Sequence, residues 1–481
     1  MRGGRDGLVD VILEDETSAL PSRFAERRSW PPLAWSRLAA AVAVLLAALV
    51  VVDGTSGARD HARRLGSTGL SGSLSAPLVE QWRAEAGEVL GVVGELLLTA
   101  LPSGAGVLAL RLDDGSPSWQ GPQGLGACVL HGLDEAAGGL PAPSTVRRDP
   151  DGTVVVCTSY TGSPSGSQER VRVLDPGTGI VVLDVPWTSS GGGGTYADGD
   201  GLITYGIDLD SRAIAARWSL RTGLQEWFVT AAERRAVPRL DAVAHRITVV
   251  GESRAVLDLR TGRLVPQAPA DVQAEQTVVL LGPVPLPDGA TAVSESGAQG
   301  ASRVAVREPS GDLRFRRDGS LLVPAVEERG SRSVLLVRRG VGVTGLDAET
   351  GDELWTVQAG SAGLPRSGVQ ASVAAVAGLA GLVVLGTEDR VLAVDRRTGA
   401  VRWSTGISGR GGPCDGYRLA VVEEGPDGAS LVVLDLDEGT EVRRQALPLT
   451  GESSLVALPG GRVAQVGAAQ LAVLGPGSSE G

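Results

Sequence analysis

Residues equipped for chemistry are sparse in this chain. Its 481 residues include three cysteines, Cys128, Cys157 and Cys414, and three histidines, His61, His131 and His245. No Cys-x-x-Cys, adjacent Cys-Cys or Cys-x-x-Cys-His occurs, so a cysteine-held zinc or a covalently attached haem lacks its ligand pattern. Serine or cysteine hydrolysis needs a positioned histidine; His131 and His245 stand far apart, and His61 falls in a linker. Two acidic clusters have oxygen donors for Ca²⁺, Asp198-Gly199-Asp200-Gly201 and Asp435-Leu436-Asp437-Glu438, but both fall at expected turns and neither has EF-hand spacing. The glycine run Gly191–Gly194 resembles a phosphate cradle, yet no helix or Gly-Lys-Ser/Thr follows. It is expected to be a plain connecting loop.

Whatever positions these residues is set by a repeat, clearest at Ala393–Trp403, A-V-D-R-R-T-G-A-V-R-W. A short aliphatic run reads as a buried strand. Asp395 and Thr398 can hydrogen-bond turn amides while Gly399 makes the turn. Trp403 follows four residues later, a large apolar surface recurring at a fixed place. Asp347 through Gly351 to Trp355 is a close copy. Ser219 through Gly223 leads to Trp227, and Ala109 through Gly115 leads to Trp119. In three further copies Gly179, Gly262 and Gly439 lead to Leu183, Pro266 and Arg443, and the poorest copy, Val306 through Gly311, ends in Phe315. Most intervals between the turn glycines fit a propeller blade of four strands.

The repeat A-x-D-x-x-T-G-x-x-x-W resembles the tryptophan-docking motif of quinoprotein-type β-propellers, the PQQ-like repeat family, over residues 78–475. The resemblance implies an all-β propeller in which Trp82, Trp119, Trp227, Trp355 and Trp403 lock adjacent blades, with Asp347, Gly351, Asp395 and Gly399 shaping the turns that receive them. Trp82 lacks a preceding hairpin, so its strand is expected to complete a blade made by Leu455–Leu458, Arg462–Val466 and Leu471–Leu474. Eight four-stranded blades are expected, with seven as the runner-up, because the Val304–Phe315 unit has neither the Asp nor the Trp.

Enzymes of the family hold a quinone between a tryptophan floor and a vicinal disulfide, with Ca²⁺ bound by an acidic residue and usually an Asn. This chain has no adjacent cysteines and no Asn. The expectation is therefore a non-catalytic binding module with no catalytic, cofactor or metal residues. A quinoprotein-like oxidoreductase or a polysaccharide-active enzyme is the alternative. Envelope-assembly scaffolds of the family are lipoproteins with a lipobox cysteine, and no cysteine precedes Cys128. The partner is left as a protein or cell-envelope ligand. The formal charge of −12 argues against nucleic acid. All 44 basic residues are Arg, which matches a GC-rich bacterial genome of actinobacterial type and is no phosphate-binding signal in itself.

Upstream, residues 1–32 read as a disordered cytoplasmic tail. Residues 33–52 carry fifteen uninterrupted apolar residues, Leu38–Val52, and read as an uncleaved transmembrane signal anchor. A signal peptide is the rival, but no A-x-A site closely follows. Arg23, Arg27, Arg28 and Arg37 on the near side, against Arg59, Arg63 and Arg64, place the N-terminus inside by a thin margin. The family places such propellers outside the cytoplasm. Residues 53–76 are expected as a flexible stalk, 77–475 as the propeller and 476–481 as a disordered end. Neighbouring strands should bring Cys128 and Cys157 into a disulfide, with Cys414 left free.

Overall fold

Aliphatic runs such as Val391–Asp395 are buried along nearly their whole length, because each sheet is covered on both faces by its neighbours. Fourth strands differ: Gln225–Arg234 alternates exposed and half-buried positions, the pattern of an outer rim. The computed structural model describes residues 70–477, apart from interruptions of which 133–152, 162–167, 266–277 and 358–372 are the longest. The expected tail, the span at 33–52 and most of the stalk lie outside the described residues. Among the described residues no helix is long and apolar enough to cross a membrane.

The described strands form nine sheets, each a blade, and not the eight or seven expected. Blade 1 spans Val89–Gln120, blade 2 Ala127–Thr188 and blade 3 Gly191–Arg234. Blade 4 has three described strands, Val237–Asp241, Arg246–Val250 and Arg254–Asp258, with an isolated bridge from Leu257 to Leu264; Pro266 lies outside the described residues. Blade 5 spans Val278–Asp318, blade 6 Ser320–Val357, blade 7 Ala374–Thr405 and blade 8 Gly411–Ala446. Blade 9 joins Ser454–Pro476 to Leu78–Glu85, which pairs antiparallel with Gln470–Pro476 as its outer strand. First strands contact one another in succession from blade 1 to blade 5 and from blade 7 to blade 9, which places them around the axis.

The ninth blade arises because the Val304–Phe315 unit is complete. Phe315 is buried and its ring seats on Gly351 of blade 6. The backbone oxygen of Ala348 accepts from Arg314 Nη1 at 3.3 Å, in the place served by an indole N–H at neighbouring junctions. Two residues thus perform the work of one tryptophan. Four-stranded regularity fails in one further place. Between its first two strands, blade 6 sends Val326–Glu327 across to pair in parallel with Ala374–Leu379, giving blade 7 a fifth strand.

The glycine run is no connecting loop: Gly191–Asp198 is the first strand of blade 3, with a bulge between Gly191 and Gly194. A Cβ on Gly193 would strike the Tyr205 carbonyl, so the residue is small to let two backbones approach. Residues 70–76, assigned to the stalk by sequence, dock on blade 8. Ser71 N donates to Cys414 O at 2.8 Å, Leu74 N donates to Asp415 Oδ2 at 2.8 Å, and the Leu74 side chain is fully buried. Gln445 bonds both N and O of Leu78, fixing the composite blade against blade 8.

Apolar cores lie between blades. Trp355 packs with residues of blades 6 and 7, and Trp403 with residues of blades 7 and 8. The seat of Trp355 is Gly399, at φ 68°, where an added Cβ would stand 2.6 Å from the indole. Gly223 has almost the same φ, 70°, but its neighbour is Leu183 and the nearest atom to an added Cβ is 4.0 Å away. Alanine at 223 should therefore cost only the backbone strain, about 1–2 kcal/mol. Alanine at 399 should cost about 1–3 kcal/mol more by displacing Trp355, and Trp403→Ala about 3–5 kcal/mol. Urea unfolding midpoints measure this; equal losses for Gly223→Ala and Gly399→Ala would refute the seating.

Candidate functional site

The five repeat tryptophans occupy equivalent seats. Trp82 donates its indole N–H to Leu112 O at 3.1 Å, Trp119 to Pro176 O at 3.1 Å and Trp227 to Leu259 O at 3.2 Å. Trp355 donates to Arg396 O at 2.7 Å and Trp403 to Leu436 O at 2.9 Å. Each acceptor lies in the turn of the next blade. Four of these turns are drawn in by the aspartate before them, at 175, 258, 395 and 435: Asp395 Oδ1 accepts from the amides of Arg397 and Thr398 and from the Thr398 hydroxyl. Asp347 does the same for Glu349 and Thr350. The predicted residues are thus brought together in pairs around the ring, as blade locks, and do not converge on one site.

Nearer the axis, Cys128 on the first strand of blade 2 lies opposite Cys157 on the second, and the two are joined by a disulfide. Cys414 is buried in blade 8 outside any disulfide, and its Sγ accepts from Gly416 N at 3.4 Å. The first strands carry few groups for acid–base work. Their charged or histidine residues are His131, Asp198, Arg239 and Asp241, and the remainder is mostly aliphatic, Gly, Ala or Pro. Glu327, on the added strand, is buried and held by Arg396 Nη2 at 3.0 Å and Arg332 Nε at 2.6 Å. Among the described residues no three His, Cys, Asp or Glu side chains converge as a metal site would need. Asp200 pairs with Arg217 and Arg221, and Asp435 closes its own turn through the amides of Asp437 and Glu438.

A recess of about 460 Å³ opens where blade 5 meets blade 6, lined by Arg303, Arg316, Arg317, Asp318 and Arg339. Behind it Glu295, 3% exposed, accepts ion pairs from Arg316 at 3.0 Å and Arg307 at 3.1 Å. Arg317 lies 5.7 Å over the Phe315 ring and donates from Nε to Gly351 O at 2.7 Å. Arg339 donates to Asp318 O at 2.9 Å and to Glu353 at 2.8 Å.

Residues 251–426, from blade 4 into blade 8, match the family described as outer membrane protein assembly factor BamB. These are PQQ-like repeats. No curated protein matches the sequence. Among solved structures, BamB from Moraxella catarrhalis is 17% identical, with 83% of this chain and 100% of that one covered and a TM-score of 0.41. Quinohemoprotein alcohol dehydrogenase ADHIIG from Pseudomonas putida HK5 is 11% identical, with 88% and 82% covered and a TM-score of 0.44. The computationally designed Ika8 protein is 12% identical, with 82% and 98% covered and a TM-score of 0.38.

Sequence reading of the PQQ-like repeats put Phe315, Leu183 and Arg443 in the tryptophan position but missed how three junctions do without an indole there. Arg314 with Phe315 is one. At the next, between blades 2 and 3, Trp187 is buried two pleats beyond Leu183 on the same face; an aromatic displaced by an even number of residues was the available signal. The third is Arg443, which donates to Ser75 O at 3.3 Å where residues 70–76 stand in for a turn.

The Asp395 carboxyl is pushed down to about 2, chiefly by Arg402 at 2.6 Å and then by the donors of Thr398 and Arg397, against the opposing effect of burial. A carboxylate depressed in the folded state contributes stability above its unfolded value of about 3.9 and loses it as pH falls through the folded value. Asn at 395 keeps an acceptor for the turn but not the charge. Asp395→Asn should therefore be less stable than wild type at neutral pH, with the gap closing between about pH 4 and pH 2. A gap independent of pH in urea titrations would refute the assignment.

Proposed function

We propose that this propeller is a non-catalytic binding module, held at a membrane by residues 33–52 with its ring outside the cytoplasm. The observation carrying the reading is the wall around the axis. First strands such as Val89–Val93, Ala374–Leu379 and Ser454–Leu458 are built there from aliphatic and small residues. A redox cofactor held at the axis would need convergent polar and charged groups. Charged side chains gather instead on the flanks between blades, where a rigid frame presents them to a partner. The family description supports a protein or envelope partner. The Cys128–Cys157 bridge supports an oxidising compartment, since such bonds persist outside the cytosol.

Two measurements test this. Full-length protein titrated with pyrroloquinoline quinone and Ca²⁺ should show no saturable rise in Tm, because a ligand bound only by the folded state must raise it. A saturable rise, or dye reduction with an alcohol or sugar, would restore the oxidoreductase reading. Protease added to intact cells should remove the propeller; protection until lysis would overturn the topology.

A further inference from the structure

We propose that the recess between blades 5 and 6 is an anion site for a phosphate-bearing ligand. This deepens the binding-module reading and rests on it. The chain is acidic overall, at −12, yet four guanidinium groups and a single carboxylate line this recess. The concentration is local to one junction. After the docking aromatic, the five tryptophan blades continue Arg83-Ala84, Gln120-Gly121, Phe228-Val229, Thr356-Val357 and Ser404-Thr405, whereas blade 5 continues Arg316-Arg317. Arg303 joins them because its backbone pairs with Asp318 across the sheet, and Arg339 arrives from the second strand of blade 6.

The arginines are held in place before any ligand arrives. Glu295 grips Arg316 from the protein side, and its carboxylate is buried away from the opening. Arg317 is fixed by Gly351 O and Arg316 O, and Arg339 by Asp318 O and Glu353. A guanidinium has five N–H donors, and these bonds engage two nitrogens each of Arg317 and Arg339. The four side chains are a quarter to two-fifths exposed, so their heads remain accessible. Asp318 is 87% exposed and closes the recess only through a 3.5 Å pair with Arg303, a contact an incoming anion can displace. Prefixed planar donors converging from several directions suit a phosphate, which offers three acceptor oxygens and up to two charges. A lone carboxylate would satisfy fewer of them. The volume of about 460 Å³ leaves room for the group that carries the phosphate.

The test uses full-length protein at constant ionic strength, with Tm followed against pyrophosphate, sn-glycerol 3-phosphate and citrate. Pyrophosphate should give a saturable rise in Tm. In the Arg303→Gln/Arg339→Gln variant, which keeps the Glu295 pairs and the Arg317 bonds, affinity should fall by about tenfold or more. Arg303→Gln alone should show a smaller loss, and serves if the double variant folds poorly. Arg83→Gln, an exposed arginine on blade 9, should bind as wild type. A response to glycerol phosphate as well would assign the source to a phosphate on a polyol, such as a lipid headgroup or envelope polymer; a response to pyrophosphate alone would assign it to a free polyphosphate. Citrate binding as tightly as pyrophosphate would overturn the phosphate class. No saturable shift, or unchanged affinity in both arginine variants, would overturn the site. Either failure leaves the quinone and protease measurements to decide the binding-module reading independently.

Discussion

An aromatic ring seated on a turn that has no Cβ is the contact on which this molecule depends. The ring covers the peptide planes of the neighbouring turn, and its N–H satisfies a carbonyl that would otherwise be buried without a donor. The seat requires glycine both for its left-handed backbone and for the space above it. Because every blade is packed by its neighbours, stability is a sum of junctions, and a weak junction is felt locally. The substituted junctions, with Phe315, Leu183 and Arg443, differ chemically yet continue the ring.

Much of the frame was legible because the repeat concentrates information in few residues. Asp395, Thr398, Gly399 and Trp403 each have a local reason to be what they are, so the copies survive divergence in the strands between. Blade 5 was misread for a physical reason: Phe315 retained the ring while Arg314 took over the N–H, and no motif sees a function divided between neighbours. The Gly191–Gly194 run was misjudged because glycine signals loop flexibility and close backbone approach equally. The arginine recess was illegible for another reason. The chain has Arg and no Lys, so the abundance of Arg is uninformative, and the lining arrives from two strands of one blade and one strand of the next.

One buried ionic group ties three blades together. Glu327, on the strand that blade 6 lends to blade 7, binds Arg396 of blade 7 and Arg332, whose Nη1 donates to Pro285 O of blade 5. Arg396 also gives Val334 O a donor while its own carbonyl accepts the Trp355 indole. Desolvated charges of this kind are weak sources of stability but stringent about geometry. The detour through Val326–Glu327 therefore has a fixed destination.

Closure of the ring carries a consequence for how the chain folds. Eight blades are made from strands close in sequence and can pair as soon as they exist. Leu78–Glu85 cannot: its partner is Gln470–Pro476, at the far end of the propeller sequence. Such pairing has the highest contact order available to the chain and meets the entropic cost of the longest loop. The first strand of the propeller to be synthesised is thus the last to find its sheet, and until then it is an unpaired edge.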